Sequence, residues 1–481
     1  MLALVGVAGA WAIARSAATE TLAPTATLRV AVRRPGNAFT LGAVGISTEA
    51  RELSTGHLST SEGRLVSLMR LLGPSLLRIG GDSVDYAWWT SRDEPPPSWA
   101  TSTITPADLS ALGELLSATG WRVLLGVDFA HYEPQRAAEE ARYAKEILGD
   151  KLLGVEIGNE PNDYAGEHLR ASSYGAGEYA REAQGYQQAL AASAPEVGVY
   201  GPAVTQNTTW LPQLASLLPA FAGITQHYYA SSTCPGAPPR VPPTQAGVLS
   251  PAERELEEEH LHELVAVGTQ SDRPTLIGET NDSACAGIPE VSQTFASALW
   301  ALDWALRAAS AGVSGLDFHG EVGFCGPDDE SPICAAGGAG ARVSNVIAQP
   351  EFYGMLAARQ LEGGRFLPTS VSAPTPLPDL TSWATVAPDG TVEVAIDDLA
   401  TSGPTQPIAI PLAASAASEE DLCASSPQAH TGVTLGGAVV TERGQWRARP
   451  RRLRRVRGAT RLTVRPGCAA VVTLRPPRGR G

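Results

Sequence analysis

VEIGNEPNDY, residues 155–164, sets a glutamate between an asparagine and a proline at the end of an apolar run. Val155, Ile157 and their neighbours read as a short buried strand. Asn159-Glu160-Pro161-Asn162 then stops it, because proline has no N–H to extend a ladder and restricts the residue before it. Glu160 is therefore presented on a strand end. In a barrel of parallel strands that is where the chemistry sits; elsewhere it is only a polar residue finishing a strand. The rest of the chain has to decide.

Working outward, short apolar runs alternate with longer amphipathic stretches eight times. The runs are LGAVGIS (41–47), LLRIGG (76–81), WRVLLGVDF (121–129), LLGVEIG (152–158), VGVYGP (197–202), ITQHYY (224–229), TLIGE (275–279) and VSGLDFH (313–319). Near-continuous hydrophobic runs suit parallel strands buried on both faces. Helical stretches lie between them. Thr105-Pro106 offers an N-cap and a proline at the first helical position, and further helices are expected over 139–148, 252–267 and 292–311. In the last, Trp300 and Trp304 read as core packing rather than a sugar platform. The expected fold is α/β: a (β/α)8 TIM barrel over about 37–361. Prolines cluster after residue 367, and alternating segments follow, such as TVEVAI (391–396), PIAIPL (407–412), RLTVR (461–465) and AAVVTL (469–474). These predict a smaller C-terminal antiparallel β-sandwich domain, residues 362–478. The early strand TLRVAVR (27–33) is left over, and we assign 25–36 to that same sandwich.

Composition narrows the class. The chain has 481 residues, 43% hydrophobic, with a formal charge of −14. Thirteen arginines and no acidic residue lie between Arg443 and Gly481, so the first 442 positions carry about −27. An acidic body does not suit nucleic acid. The basic tail reads first as a solvated strand pair and second as a grip for a polyanion. Residues 1–24 open on an apolar stretch and then small residues, the pattern of a signal peptide, with an uncleaved anchor as the other reading. The stretch is short for a stable membrane span. Six cysteines fit an exported, disulfide-bonded protein: Cys325 with Cys334, Cys423 with Cys468, and Cys234 with Cys285 are the expected pairs. There is no CxxC and no HExxH, so no metal and no cofactor is expected.

If Glu160 ends strand 4, a partner belongs on another strand end. Strand 7 supplies Glu279, directly after Ile277-Gly278 in PTLIGETND. Barrel strand ends converge on one mouth, so residues 119 positions apart become neighbours. Two carboxylates at one mouth suit glycosidic bond cleavage: one protonates the leaving oxygen, the other attacks the anomeric carbon or activates water.

These residues are recognisable. Asn-Glu-Pro at strand 4 and a lone glutamate at strand 7 resemble the retaining glycoside hydrolase clan built on a (β/α)8 barrel. The ordered set GISTEA (45–50), LRIGGDSVD (77–85), VEIGNEPNDY, QHYY (226–229), GETNDSACAG (278–287) and FHG (318–320) resembles glycoside hydrolase family 79, which holds β-glucuronidases and heparanases. The resemblance implies a retaining double displacement, with Glu160 as acid/base and Glu279 as nucleophile. It implies Asn159 at the sugar 2-hydroxyl, Glu49 at further hydroxyls, and Asp82 and Asp85 along the pocket. Tyr228 or Tyr229 would bond the nucleophile; by strand alternation His227 and Tyr229 share a face and Tyr228 takes the other. His319 would assist from strand 8, or is a satisfied core histidine. A uronate carboxylate would rest on the backbone amides of Cys285-Ala286-Gly287. Many relatives carry glycine where Ala286 stands, and alanine does not readily take positive φ. No tyrosine occurs between residues 313 and 340, where some relatives have one. The expected substrate is a β-glucuronide-containing glycan or glycoside. The alternatives are a β-glucosidase or β-xylosidase with the same pair, and a catalytically silent polyanion- or carbohydrate-binding protein.

Overall fold

The computed structural model describes residues 26–61, 63–206, 209–218, 220–235, 239–323, 325–326, 329–336 and 346–477. The expected signal segment, 1–24, lies outside them. Eight parallel strands close into a barrel in chain order: Val44–Glu49, Leu76–Gly80, Arg122–Val127, Leu152–Ile157, Val199–Val204, Gly223–Ser232, Thr275–Ala284 and Gly315–His319. Each contains one of the eight apolar runs or overlaps it. The ring closes by pairing Phe318 with Ile46 and Asp317 with Gly45. Strands 6 and 7 run longest, so their C-terminal ends rise above the rest as a wall.

Local chemistry sets the helices. Before Pro106–Thr119, the Thr105 N–H donates to Asp108 Oδ2 at 2.8 Å, and Gly120 ends the helix in the left-handed region. The helix Phe295–Ala311 is buried almost all round because it is packed between the barrel and the second domain. Trp300 and Trp304 are buried in it, as expected, and their indole N–H groups donate to Glu257 (3.1 Å) and Thr280 (2.9 Å).

The second domain is two facing sheets over an apolar core of its own, which includes Leu28, Val394, Ile408, Leu462 and Val472. One sheet orders its strands 369–372, 26–30, 406–410, 459–464 and 454–456; the other is built on 380–386, 392–398, 468–475 and 416–423. Ala26–Val30 is a strand inside the first sheet, antiparallel to Thr369–Ser372 and parallel to Gln406–Ile410. That parallel pair departs from the all-antiparallel expectation. It arises because the strand enters from the far end of the chain rather than through a hairpin. No helix among the described residues is long and apolar enough to cross a membrane. All three expected disulfides are present.

Candidate active site

A cleft of about 670 Å³ opens at the C-terminal ends of the barrel strands, and both Glu160 and Glu279 line it. Gly158 and Glu160 each take positive φ, 78° and 44°. Glycine does so freely, whereas for glutamate it is a strained conformation that the surroundings must hold. The hold is visible: the Glu160 N–H donates to the Ala203 carbonyl at 2.9 Å, tying the turn to strand 5. Glu279 sits within strand 7, where the register against strand 6 shifts between Ile277 and Glu279. The two glutamates and His227 each offer a ligand atom, all within 4.8 Å of one another.

Arg78, on strand 2, organises this floor and is fully buried. Its five N–H groups all find acceptors: Glu156 (2.7 Å), Ser47 (3.2 Å), Glu279 Oε2 (2.5 Å), Asn159 Oδ1 (2.8 Å) and His227 Nε2 (3.3 Å). The two glycines that follow make room. A β-carbon at Gly80 would lie 2.4 Å from the guanidinium carbon, and one at Gly81 (φ 65°) 2.5 Å from the Glu49 carboxyl carbon. A guanidinium only donates, so His227 accepts at Nε2 and carries its proton on Nδ1. That proton faces Glu160 Oε1 at 2.7 Å, leaving Oε2 to hold the carboxylic proton. Burial lowers the His227 imidazole to about 4, in keeping with a neutral ring.

The two carboxyls are driven apart. Burial, then the Glu279 charge and those of Asp82 and Asp163, push Glu160 well above the ordinary carboxylate range. Burial works on Glu279 in the same direction, but His319 and Arg78 outweigh it and hold Glu279 far below that range. Tyr229 adds to this by donating its hydroxyl to Glu279 Oε1 at 2.7 Å. His319 is raised to about 9: burial opposes protonation, and the neighbouring Glu279 and Glu49 overcome it. Its Nδ1 lies 3.0 Å from Ser47 Oγ and 3.6 Å from Glu279, and its Nε2 3.7 Å from Glu49. The spacing of Glu160, His227 and Glu279 would also suit one bound cation, but Arg78 already supplies positive charge against Glu279.

Other expected residues fall into two groups. Glu49, Asp82, Tyr229, Cys285, Ala286 and His319 line the cleft. Desolvation, then Glu49 and Glu279, raise Asp82 to about 6, and its Oδ1 accepts from Asn159 at 3.1 Å. Asn159 and His227 are buried just beneath. Three expectations are corrected. Tyr228 points out of the barrel, where it donates to Glu253 at 2.7 Å and packs on Trp304; the alternation that brings Tyr229 inward turns Tyr228 away. Asp85 is buried under the cleft, accepting from Tyr164 (2.6 Å) and the N–H groups of Phe129 and Ala130, so it pins loops together. Gly287 is packed against the backbone of Asp329 and Glu330 and does not line the cleft. Positive φ falls on Cys285 (68°) rather than Ala286, so alanine is tolerated there. The Cys234–Cys285 disulfide clamps this turn to the loop after strand 6, which brings Pro239 and Arg240 into the cleft wall.

Arg78 was missed by the sequence reading. Its signal was an arginine in the run LLRIGG, matched by Glu156 in LLGVEIG. Two opposite charges in strands otherwise apolar announce a buried pair, here at 2.7 Å.

No protein-family model matches the chain, and no curated protein matches it in sequence. Solved structures do match in fold. A 4-O-α-L-rhamnosyl-β-D-glucuronidase from Fusarium oxysporum 12S superposes with a TM-score of 0.77 at 18% identity, over 93% of this chain and all of that one. A GH51 arabinofuranosidase from Xanthomonas axonopodis pv. citri gives 0.68 at 15% identity, over 94% and 100%. A GH39 enzyme from the same organism gives 0.60 at 14%, over 94% and 97%. The chain therefore shares the fold of these glycoside hydrolases over 93–94% of its length.

Proposed function

We propose that the protein is a retaining glycoside hydrolase that releases β-D-glucuronic acid from glucuronides. One observation carries the reading: two carboxyl oxygens within 4.8 Å at a barrel mouth, one carboxyl held protonated and the other ionised. Double displacement places the carboxyl groups about 5–5.5 Å apart and inversion about 6.5–9.5 Å, and the close approach of the two carboxyl oxygens supports the former. Glu279 attacks the anomeric carbon while Glu160 gives its proton to the departing oxygen. Glycosylation removes the Glu279 charge, the pKa of Glu160 falls, and Glu160 then takes a proton from the incoming water. Asp82 and Glu49 line the cleft and would bond sugar hydroxyls, with Asn159 beneath them orienting Asp82. The backbone of Cys285 and Ala286 offers N–H groups to a C6 carboxylate.

The uronate half draws support from the fold shared with the Fusarium glucuronidase. A neutral β-glycoside is the second reading. It is favoured by the acidity of the cleft, lined by nine carboxyl groups and two arginines. Initial rates on 4-nitrophenyl β-D-glucuronide and the matching β-D-glucoside, with Glu279→Gln as the blank, separate the two. A glucuronide preference that vanishes in the variant supports the proposal. A glucoside preference keeps the glutamate pair and sinks the uronate. Turnover of neither would favour a longer glycan or a binding protein.

A further inference from the structure

We infer that the leaving-group side of the cleft selects neutral or cationic aglycones and rejects anionic ones, such as sulfated or uronate-rich glycans. The inference rests on the glycoside hydrolase reading, because it uses Glu160 to locate the departing group. A proton donor must lie beside the glycosidic oxygen, so the chain that follows Glu160 flanks whatever leaves. That chain turns tightly, with the Asp163 N–H on the Glu160 carbonyl (2.8 Å) and the Glu167 N–H on the Asp163 carbonyl (3.0 Å). Both acidic side chains line the cleft and are exposed at its rim.

Among the described residues no arginine is ion-paired with either. Arg170, three residues beyond Glu167, turns away to Glu182 and to the carbonyl of Phe129. The two arginines that line the cleft already hold protein carboxylates: Arg51 is bonded to Glu321 and 3.8 Å from Glu49, and Arg240 is 3.3 Å from Glu259. The Asp163 carboxylate accepts from the neutral Asn162 amide at 2.8 Å. An anionic aglycone would meet two like charges there, with the cleft's arginines already held by Glu321, Glu49 and Glu259, and a cationic one would meet two opposite charges. The basic stretch of the chain lies elsewhere, on strands of the second domain such as Arg451–Arg452 and Arg454–Val456.

The test uses paired β-D-glucuronides of one phenol, bearing either a trimethylammonium or a sulfonate group. The expected ratio of kcat/KM, cation over anion, is about tenfold at low ionic strength, from two rim charges worth roughly threefold each. Screening should bring it towards unity at high salt. The Asp163→Asn/Glu167→Gln double variant should do the same at low salt. A ratio at or below one, or a ratio unmoved by the double substitution, overturns the inference. The same two phenols on β-D-glucose carry the comparison if the glucuronide assignment fails. Calorimetric titration of the pairs into Glu279→Gln reads the charge preference without turnover. Equal binding of cationic and anionic members, or binding of none, overturns it there.

Discussion

Tyr229 donates its phenolic proton to Glu279 Oε1 at 2.7 Å, from the neighbouring strand of the barrel. The bond stabilises the ionised form of Glu279, the proposed nucleophile. Tyr229→Phe keeps the buried ring and removes only the donor. Hydrogen bonds to charged groups contribute about 1.5–3 kcal/mol. We therefore expect kcat/KM to fall about ten- to a hundredfold with the thermal midpoint little changed. A loss under threefold in steady-state kinetics would show that the bond does not matter to the reaction.

Arg78→Lys tests the floor of the site. Lysine keeps the charge but has three donors on one nitrogen where five fixed N–H groups are now used. Glu156, Glu279, Asn159 and His227 cannot all be satisfied by a point charge. Breaking a buried ionic network costs about 3–5 kcal/mol, so denaturant unfolding should shift by that order and activity should collapse. A variant of wild-type stability and activity would contradict this account of the floor.

The pH–rate profile should be a bell. The proposed mechanism needs Glu279 ionised, which Arg78 and His319 secure into acid, and Glu160 protonated, which burial and neighbouring carboxylates extend upward. The alkaline limb should therefore report Glu160. Asp82→Asn removes one negative charge that holds the Glu160 proton, so that limb should move to lower pH, by on the order of half a unit. A limb that stays put or moves upward would exclude Asp82 from the electrostatics of the acid.

Stability should fall as pH rises from about 4 to about 8. Buried Asp85, Glu140 and Glu253 are each raised to about 8, and burial is the first cause in each. Such groups bind more protons folded than unfolded across that window. The unfolding free energy therefore decreases with pH and levels off above it. Glu140 isolates the effect: its Oε1 has no hydrogen-bond partner, and it lies on the buried face of the helix Pro134–Leu148. Glu140→Gln mimics the neutral acid. It should stabilise at pH 8 by on the order of 1–3 kcal/mol and do little at pH 5, as calorimetry at the two pH values would read. Equal effects at both would refute the assignment.

Much of this architecture was legible in the chain, for a physical reason. A strand buried on both faces has to be apolar along its length, so the eight barrel strands stand out as runs between amphipathic helices. Glu160 was legible because proline and asparagine mark the strand end that presents it. What stayed hidden was long-range. Arg78 draws its acceptors from strands 1, 4, 6 and 7 and from the loop after strand 4, a set that exists only once the ring closes. Asp85 follows strand 2 just as Asp82 does, and local sequence does not say that one faces the cleft while the other takes up Tyr164. Tyr228 and Tyr229 are equally ambiguous until the outward neighbour, Glu253, is in place.

The strand Ala26–Val30 has its two hydrogen-bonded neighbours at 369–372 and 406–410, more than three hundred residues downstream. During synthesis the first-made segment has nowhere to go until nearly all of the chain has emerged. Leu28, fully buried in the finished molecule, must wait exposed while the barrel is assembled. The barrel is then held between two ends that are joined last, so unfolding that begins in the sandwich frees both entrances of the barrel at once. Removing the strand itself should leave a gap between the strands 369–372 and 406–410, with two unpaired edges prone to pair with strands of other molecules.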